Sequence, residues 1–145
     1  MREQSVEFEA ALQNLEPITQ FIRAFMEGSA LPEEQVYHFE ISADEHVSNL
    51  IEHAFKNRSH PLIGITCRED ADKTQVIISD DSAGFDPRNY SVPDLENQPI
   101  YEIPPGGFGN YFICKLMDDV EYIHHPYVKN ELILTMLKRS TNHEE

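Results

Sequence analysis

The sequence has no tryptophan, only two cysteines and six glycines, and far fewer basic than acidic residues, 11 against 26. Two cysteines, Cys67 and Cys114, cannot build a disulfide framework. Reduced thiols in a cytosol are the expectation. The scarcity of base argues against a nucleic-acid binder, because phosphate contacts need a basic face. The formal net charge is −15 at pH 7. The excess acid is spread evenly: residues 1–70 hold 13 acids and 5 bases, and residues 71–145 hold 13 and 6. It is therefore not an acidic tail on a neutral domain. No apolar run approaches the ~20 residues a membrane helix needs. No basic start followed by an apolar stretch opens the chain, so no signal peptide is expected. These absences together lead to the expectation of a soluble, cytoplasmic protein without a membrane partner.

What is present is the material of one ordinary domain. The chain has 145 residues, of which 40% are hydrophobic, enough for a single core. Ser5 to Ala10 alternates and reads as an edge strand. From Leu15 to Met26 the apolar positions Leu15, Ile18, Phe21, Ile22, Phe25 and Met26 keep helical spacing. Pro32 opens a second helix expected to run, with or without a break, to about Phe55. Leu62 to Arg68 and Thr74 to Ser79 are β-branched runs that read as an antiparallel hairpin. Residues 88–105 hold four prolines and no clear period, hence a long loop. A helix is expected from Asn110 to Met117. Val120 to Ile123 and Glu131 to Leu137 close the chain as two strands. Antiparallel neighbours with helices on one face predict an α+β two-layer sandwich over a mixed, mostly antiparallel sheet.

Three segments carry chemistry. The first is the helix Ala43 to Phe55. At 100° per residue Val47, Leu50, Ile51 and Ala54 form an apolar stripe, with Glu45, Asn49, Glu52 and His53 on the opposite face. An ordinary solvated face explains this pattern. It also suits a ligand site, because Glu45 and Asn49 stand one turn apart. An Asn oxygen fits a hard cation such as Mg²⁺, and a carboxylate can accept a hydroxyl proton. His46 and His53 could share a face, but no third ligand stands at zinc spacing, so a structural zinc site is not expected. His124 and His125 read as an exposed turn.

The second segment runs from Val76 to Pro87. Asp80 sits where the backbone leaves the sheet, and a carboxylate there can accept a hydrogen bond from an exocyclic amine. Gly84 permits a positive φ or a close approach. The third is Gly106-Gly107-Phe108-Gly109, before a helix. Glycines there let backbone N–H groups face an anion at the positive helix end. An acidic strand-end turn and a simple helix entry are the ordinary readings of these two.

In this order and context the three segments resemble the GHKL ATPase superfamily, and within it the bacterial anti-sigma factor kinases of the serine/threonine type. Asp44 through Ala54 is similar to that family's N-box, and Asp80 through Pro87 to its next box. Gly106 to Gly109 is similar to the third, and Val120-Glu121-Tyr122 with Asn130 to Thr135 to the closing strands. The resemblance implies a sandwich of the Bergerat type, with residues 1–145 forming one ATPase domain and residues 87–105 its ATP lid. It implies Glu45 as catalytic base and Asn49 as the Mg²⁺ ligand. Asp80 would bind the adenine amine, Gly84 would line the adenine pocket, and His53, Gly106, Gly107, Phe108 and Gly109 would complete the ATP site. It further implies phosphorylation of a Ser or Thr on an anti-anti-sigma (STAS) protein, binding of a sigma factor, and a homodimer. Three positions depart from the family: Ser82 stands where Gly is usual, Phe108 where many relatives have Arg, and Lys129 where Gly precedes Asn-Glu-Leu. The first two motivate an alternative, a module that sequesters a sigma factor with weak or lost nucleotide turnover.

Overall fold

The computed structural model describes residues 1–55, 59–89 and 113–138. Strand β1 (Arg2–Glu9) leads into helix α1 (Leu15–Met26) and helix α2 (Glu33–Asn49). The hairpin β2 (Leu62–Glu69) and β3 (Lys73–Asp80) follows, and β4 (Asp119–Ile123) and β5 (Asn130–Leu137) complete the sheet. Residues 113–116 are helical. The strand order is β1-β2-β3-β5-β4, and every pairing is antiparallel. The expected mostly antiparallel sheet is thus wholly antiparallel among the described residues, and β1 is an edge strand as its alternation suggested.

The core follows from two periodicities. Ile18, Ile22, Phe25 and Met26 fall on one stripe of α1 and are buried. Ile63, Ile65 and Cys67 of β2, Val76 and Ile78 of β3, and Leu132, Leu134 and Met136 of β5 alternate onto one sheet face. These side chains join Phe39, Ala43, Val47 and Leu50 of α2 in one apolar cluster. Full burial of each large one is worth ~1.5–3 kcal/mol. On the other face Glu3, Ser5 and Glu7 of β1 are exposed. Arg2 ties the edge strand to the helical layer: its guanidinium lies 4.1 Å from the Phe25 ring centroid, and Nη2 donates to Phe25 O at 2.9 Å.

Helix α2 begins after Pro32, whose φ of −60° is extended-compatible and helix-compatible alike, and Glu33 and Glu34 in its first turn complement the positive helix end. It ends at Asn49. The chain then winds as one π-helical turn over Leu50–Ala54, where the Phe55 N–H bonds Leu50 O at 3.0 Å. Such turns recur at functional sites. The uniform 100° wheel drawn through Ala54 therefore fails over its last residues. No helix among the described residues is long and apolar enough to cross a membrane.

Candidate functional site

Asp80 is the last residue of β3, and the alternation that buries Val76 and Ile78 also turns it inward. It is 5% exposed. Its Oδ1 accepts three hydrogen bonds: from Ser82 N at 2.9 Å, Ser82 Oγ at 2.6 Å and Asn130 Nδ2 at 3.1 Å. Its Oδ2 is buried with no partner among the described residues. An unpaired buried acceptor is costly, and more so when charged, so this oxygen calls for a donor.

Asn130 reaches Asp80 because β5 pairs with β3 in a register that sets the two residues opposite each other. The Asn130 amide is used at both ends: Nδ2 also donates to Ser82 O at 2.9 Å, and Oδ1 accepts His125 N at 3.0 Å. The Ser82 hydroxyl donates to Asp80 and accepts Gly84 N at 2.9 Å. It is turned back onto its own loop.

Gly84 has φ +104°. A Cβ there would stand 2.6 Å from His124 Nε2 and 2.9 Å from the Tyr122 hydroxyl. Those two side chains fasten the loop to β4: Tyr122 OH accepts Phe85 N at 2.9 Å, and His124 Nε2 donates to Ala83 O at 2.9 Å. His124 is exposed, as expected of a turn, yet its ring is engaged. A hollow of about 200 Å³ lies among Gly84, Asp86, Arg88, Tyr122 and His124. Arg88 forks onto Asp86, with Nη2 to Oδ2 at 2.9 Å and Nε to Oδ1 at 3.0 Å. Burial alone pushes the Asp86 carboxyl up, but the bonds from Arg88 outweigh it and hold the group below its usual value. Gly84→Ala is expected to cost about 1–3 kcal/mol of backbone strain. A fall in the urea unfolding midpoint measures it, and an unchanged midpoint contradicts it.

The helix supplies the other wall. Phe85 is where the first two sequence segments meet. The His53 ring stacks on it at 5.9 Å and 17°, and the His46 ring tilts against it at 6.3 Å and 59°. Glu45 is half-buried, and Asn49 is 6% exposed. The Asn49 amide hydrogen-bonds the Glu45 carboxylate. Burial raises the Glu45 carboxyl above its usual value, Asp44 and Glu52 add to the rise, and the Asn49 bond opposes it. The face expected to be solvated is therefore split: Glu52 and His53 are exposed, whereas Asn49 is buried.

His46 is the residue the sequence reading placed worst. It is fully buried, and neither ring nitrogen has a hydrogen-bond partner among the described residues. Burial lowers its pKa to about 4, against the opposing pull of Asp80 and Asp86. Including Val36, Phe39 and Ala43 in the helical wheel brings His46 into the apolar stripe, and that signal was available. Among the described residues no cluster of three or more His, Cys, Asp or Glu side chains could hold a metal ion. Gly106, Gly107, Phe108 and Gly109, and all but the first three residues of the expected lid, lie outside the described residues.

Known proteins resemble this chain in sequence and in fold. A family model described as the histidine kinase-like ATPase domain matches residues 8–137. The chain is 29% identical over 87 residues to serine-protein kinase RsbW of Bacillus cereus (strain ATCC 10987 / NRS 248), covering 58% of this chain and 54% of that protein. It is 28% identical over 102 residues to serine-protein kinase RsbW of Staphylococcus epidermidis, covering 68% and 62%. The matches thus span between about half and two thirds of these relatives' own length. Among solved structures, the fold is similar to the RsbU and RsbW domains of Rv1364c from Mycobacterium tuberculosis, with TM-score 0.64 at 12% identity over 97% of this chain and 34% of that one. It is also similar to the histidine kinase domain of the Erythrobacter litoralis EL346 blue-light activated histidine kinase, with TM-score 0.54 at 12% identity over 89% and 61%. With the family match running from β1 to the end of β5 over a two-layer sandwich of this topology, the chain belongs to the histidine kinase-like ATPase domain family.

Proposed function

We propose that this protein is an anti-sigma regulatory factor that uses ATP and Mg²⁺ to phosphorylate a Ser or Thr on an anti-anti-sigma (STAS) protein, and that also sequesters a sigma factor. The observation that carries the nucleotide part is Asp80, whose Oδ2 is buried with no partner among the described residues and whose charge acts on His46 of the Glu45–Asn49 helix. A lone buried acceptor suits the exocyclic amine of adenine. The relatives named as serine-protein kinases support the choice of acceptor chemistry.

In this reading ATP gives its γ-phosphoryl group to the acceptor hydroxyl and leaves as ADP, and Mg²⁺, where bound, would offset the charge on the phosphates. The Asn49 carbonyl oxygen is the kind of hard donor Mg²⁺ takes. Glu45 accepts the proton of the attacking hydroxyl, and Asn49 orients the Glu45 carboxylate by its hydrogen bond. Asp80 holds the base, and Gly84 keeps the backbone beside it free of a side chain. Phe85, between His46 and His53, holds the Asp80 loop against the helix. Gly106, Gly107, Phe108 and Gly109 would serve the phosphates and residues 87–105 the lid on the strength of their motifs alone, since residues 90–112 lie outside the described ones, and residues 1–145 would act as one domain in a cytoplasmic homodimer.

The charge of −15 bears on both partners. ATP is itself a polyanion, so its binding depends steeply on Mg²⁺. A sigma factor's basic DNA-binding face complements an acidic surface, and its complex with this protein weakens as salt rises.

Two measurements test the reading. Saturating Mg·ATP, at ~100 times Kd, adds about 2.7 kcal/mol, a rise in Tm on the order of 5–10 °C. Labelled ATP then transfers its phosphate to a candidate STAS protein. No thermal shift at millimolar Mg·ATP contradicts the kinase. A sigma-factor complex that still forms in that case supports the alternative, a sequestering module with weak or lost turnover.

A further inference from the structure

We infer that the open face of the sheet, at the end where β3 runs into its loop, is the surface that holds the sigma factor, and that it takes a segment presenting a Lys or Arg beside an apolar side chain. The inference rests on the sigma-factor part of the reading above and adds to it the place and the chemistry of the contact.

The described helices pack on one face of the sheet, and the pairing register gives the other face. Glu7 stands opposite Gly64, Gly64 opposite Ser79, and Ser79 opposite Glu131. Alternation turns this row away from the core. Gly64 and Ser79 make a low floor within it. A Cβ at residue 64 would stand 2.5 Å from Ser79 Oγ, so the floor holds one hydroxyl and no second side chain. The longer Glu7, Leu62 and Val128 stand around that floor, with Asp81 and Lys129, and bound a hollow of about 350 Å³.

Two kinds of contact meet there. Leu62 is 49% exposed and Val128 75%, and Tyr127, next to Val128 in the turn, is 71% exposed. Exposed apolar side chains are ordinary singly, but gathered at one place they mark a surface that binds protein. The turn that carries two of them is pinned. Tyr127 N donates to Ser82 O at 2.9 Å, and Val128 N and Lys129 N donate to His125 O at 3.0 and 2.9 Å. Tyr127 holds φ +64°, a strained value for a residue with a bulky side chain. Anchors on a pinned backbone lose little entropy on binding. The polar contact is acidic. Glu7 and Asp81 line the hollow, and the base in its wall, Lys129, lies 3.7 Å from Glu131. An incoming Lys or Arg would lay its stem along Leu62 and Val128 and bring its charge to the two carboxylates. A second copy of this chain fits worse, because Glu3, Glu7, Glu9, Glu121 and Glu131 share this face and would meet their like.

The test measures the Kd of the full chain for each purified sigma factor of the source organism, one at a time. The proteins are wild type, the double variant Leu62→Ser with Val128→Ser, Glu7→Lys, and Glu27→Lys. The last makes the same change of charge at the exposed end of α1. For the sigma factor that wild type binds, the double variant and Glu7→Lys are each expected to raise Kd by about tenfold or more, as loss of an anchor does. Glu27→Lys is expected to stay within about twofold, since salt screens a distant charge. The thermal shift by Mg·ATP is expected to be unchanged in all four. Equal weakening by Glu7→Lys and Glu27→Lys overturns the inference, because overall charge then explains both. An unchanged Kd in either surface variant also overturns it. Glu7→Lys carries the test alone where the double variant does not fold. Light scattering that finds a wild-type dimer and a monomeric surface variant gives this face to a second copy, and overturns the inference. A wild-type chain that binds none of the sigma factors overturns the sigma-factor reading, and this inference with it. A wild-type chain that binds one, with both surface variants binding as well, overturns this inference alone.

Discussion

Glu45→Gln is expected to lower phosphotransfer to the STAS protein proposed as substrate by about 10²–10⁴-fold, the usual contribution of a general base. The substitution keeps the shape of the side chain and an oxygen that can still accept from Asn49. It removes only the capacity to take a proton. Glu45 is half-buried on α2, one turn from buried Asn49, and its carboxylate is oriented by the Asn49 amide. Mg·ATP binding is therefore expected to stay near wild type, because the adenine contact is proposed at Asp80, away from Glu45. The measurement is single-turnover transfer from labelled ATP, with the thermal shift by Mg·ATP as the binding control. Transfer at the wild-type rate removes Glu45 from the role of base. A loss of the thermal shift together with transfer places Glu45 in binding instead.

Acid is expected to destabilise the ligand-free protein through His46 by roughly 3 kcal/mol, taking about 1.4 kcal/mol per unit between 6.5 and about 4. The sign follows from proton counts. In the folded protein His46 stays neutral down to about pH 4, whereas the unfolded chain takes up the proton near pH 6.5. Between those values the unfolded state binds more protons, so stability falls as pH falls through the window and levels off below it. Asp80 and Asp86 favour the imidazolium, but full burial without a hydrogen bond outweighs them. Urea midpoints at pH 4, 5, 6 and 7 for wild type and His46→Phe measure the effect. Asp86 and Glu69, whose carboxyls are held below their usual values, contribute acid sensitivity to both proteins. The difference between the two curves isolates His46. Parallel curves contradict the prediction.

The elements and the site differ in how far they could be read ahead. Helix α1 was expected from Leu15 to Met26 and is found over those residues, because Ile18, Ile22, Phe25 and Met26 repeat at the helical period. The hairpin of β2 and β3 was legible for the same kind of reason, as was the edge position of β1. The end of α2 was not. A wheel assumes one angle per residue, and the π turn at Leu50–Ala54 breaks that assumption where the site begins. His46 joins the buried stripe only when Val36, Phe39 and Ala43, more than a turn upstream, are included with the four residues near the helix end. The glycine-rich segment was legible only as a motif, since residues 106–109 lie outside the described ones.

What the sequence determined by itself was the family. A carboxylate one turn before an asparagine, an acidic strand end and a glycine-rich helix start each have an ordinary reading alone, and it is their order along the chain that carries the resemblance. The tertiary structure decided which oxygen of Asp80 has no partner among the described residues. That depends on β5 lying between β3 and β4, which brings Asn130 opposite Asp80. It decided as well that Asn49 and His46 are buried while His53 is not. Strand order and burial are set by how the helices and sheet pack on one core, and packing partners distant in the chain leave no period in the sequence for a reader to find.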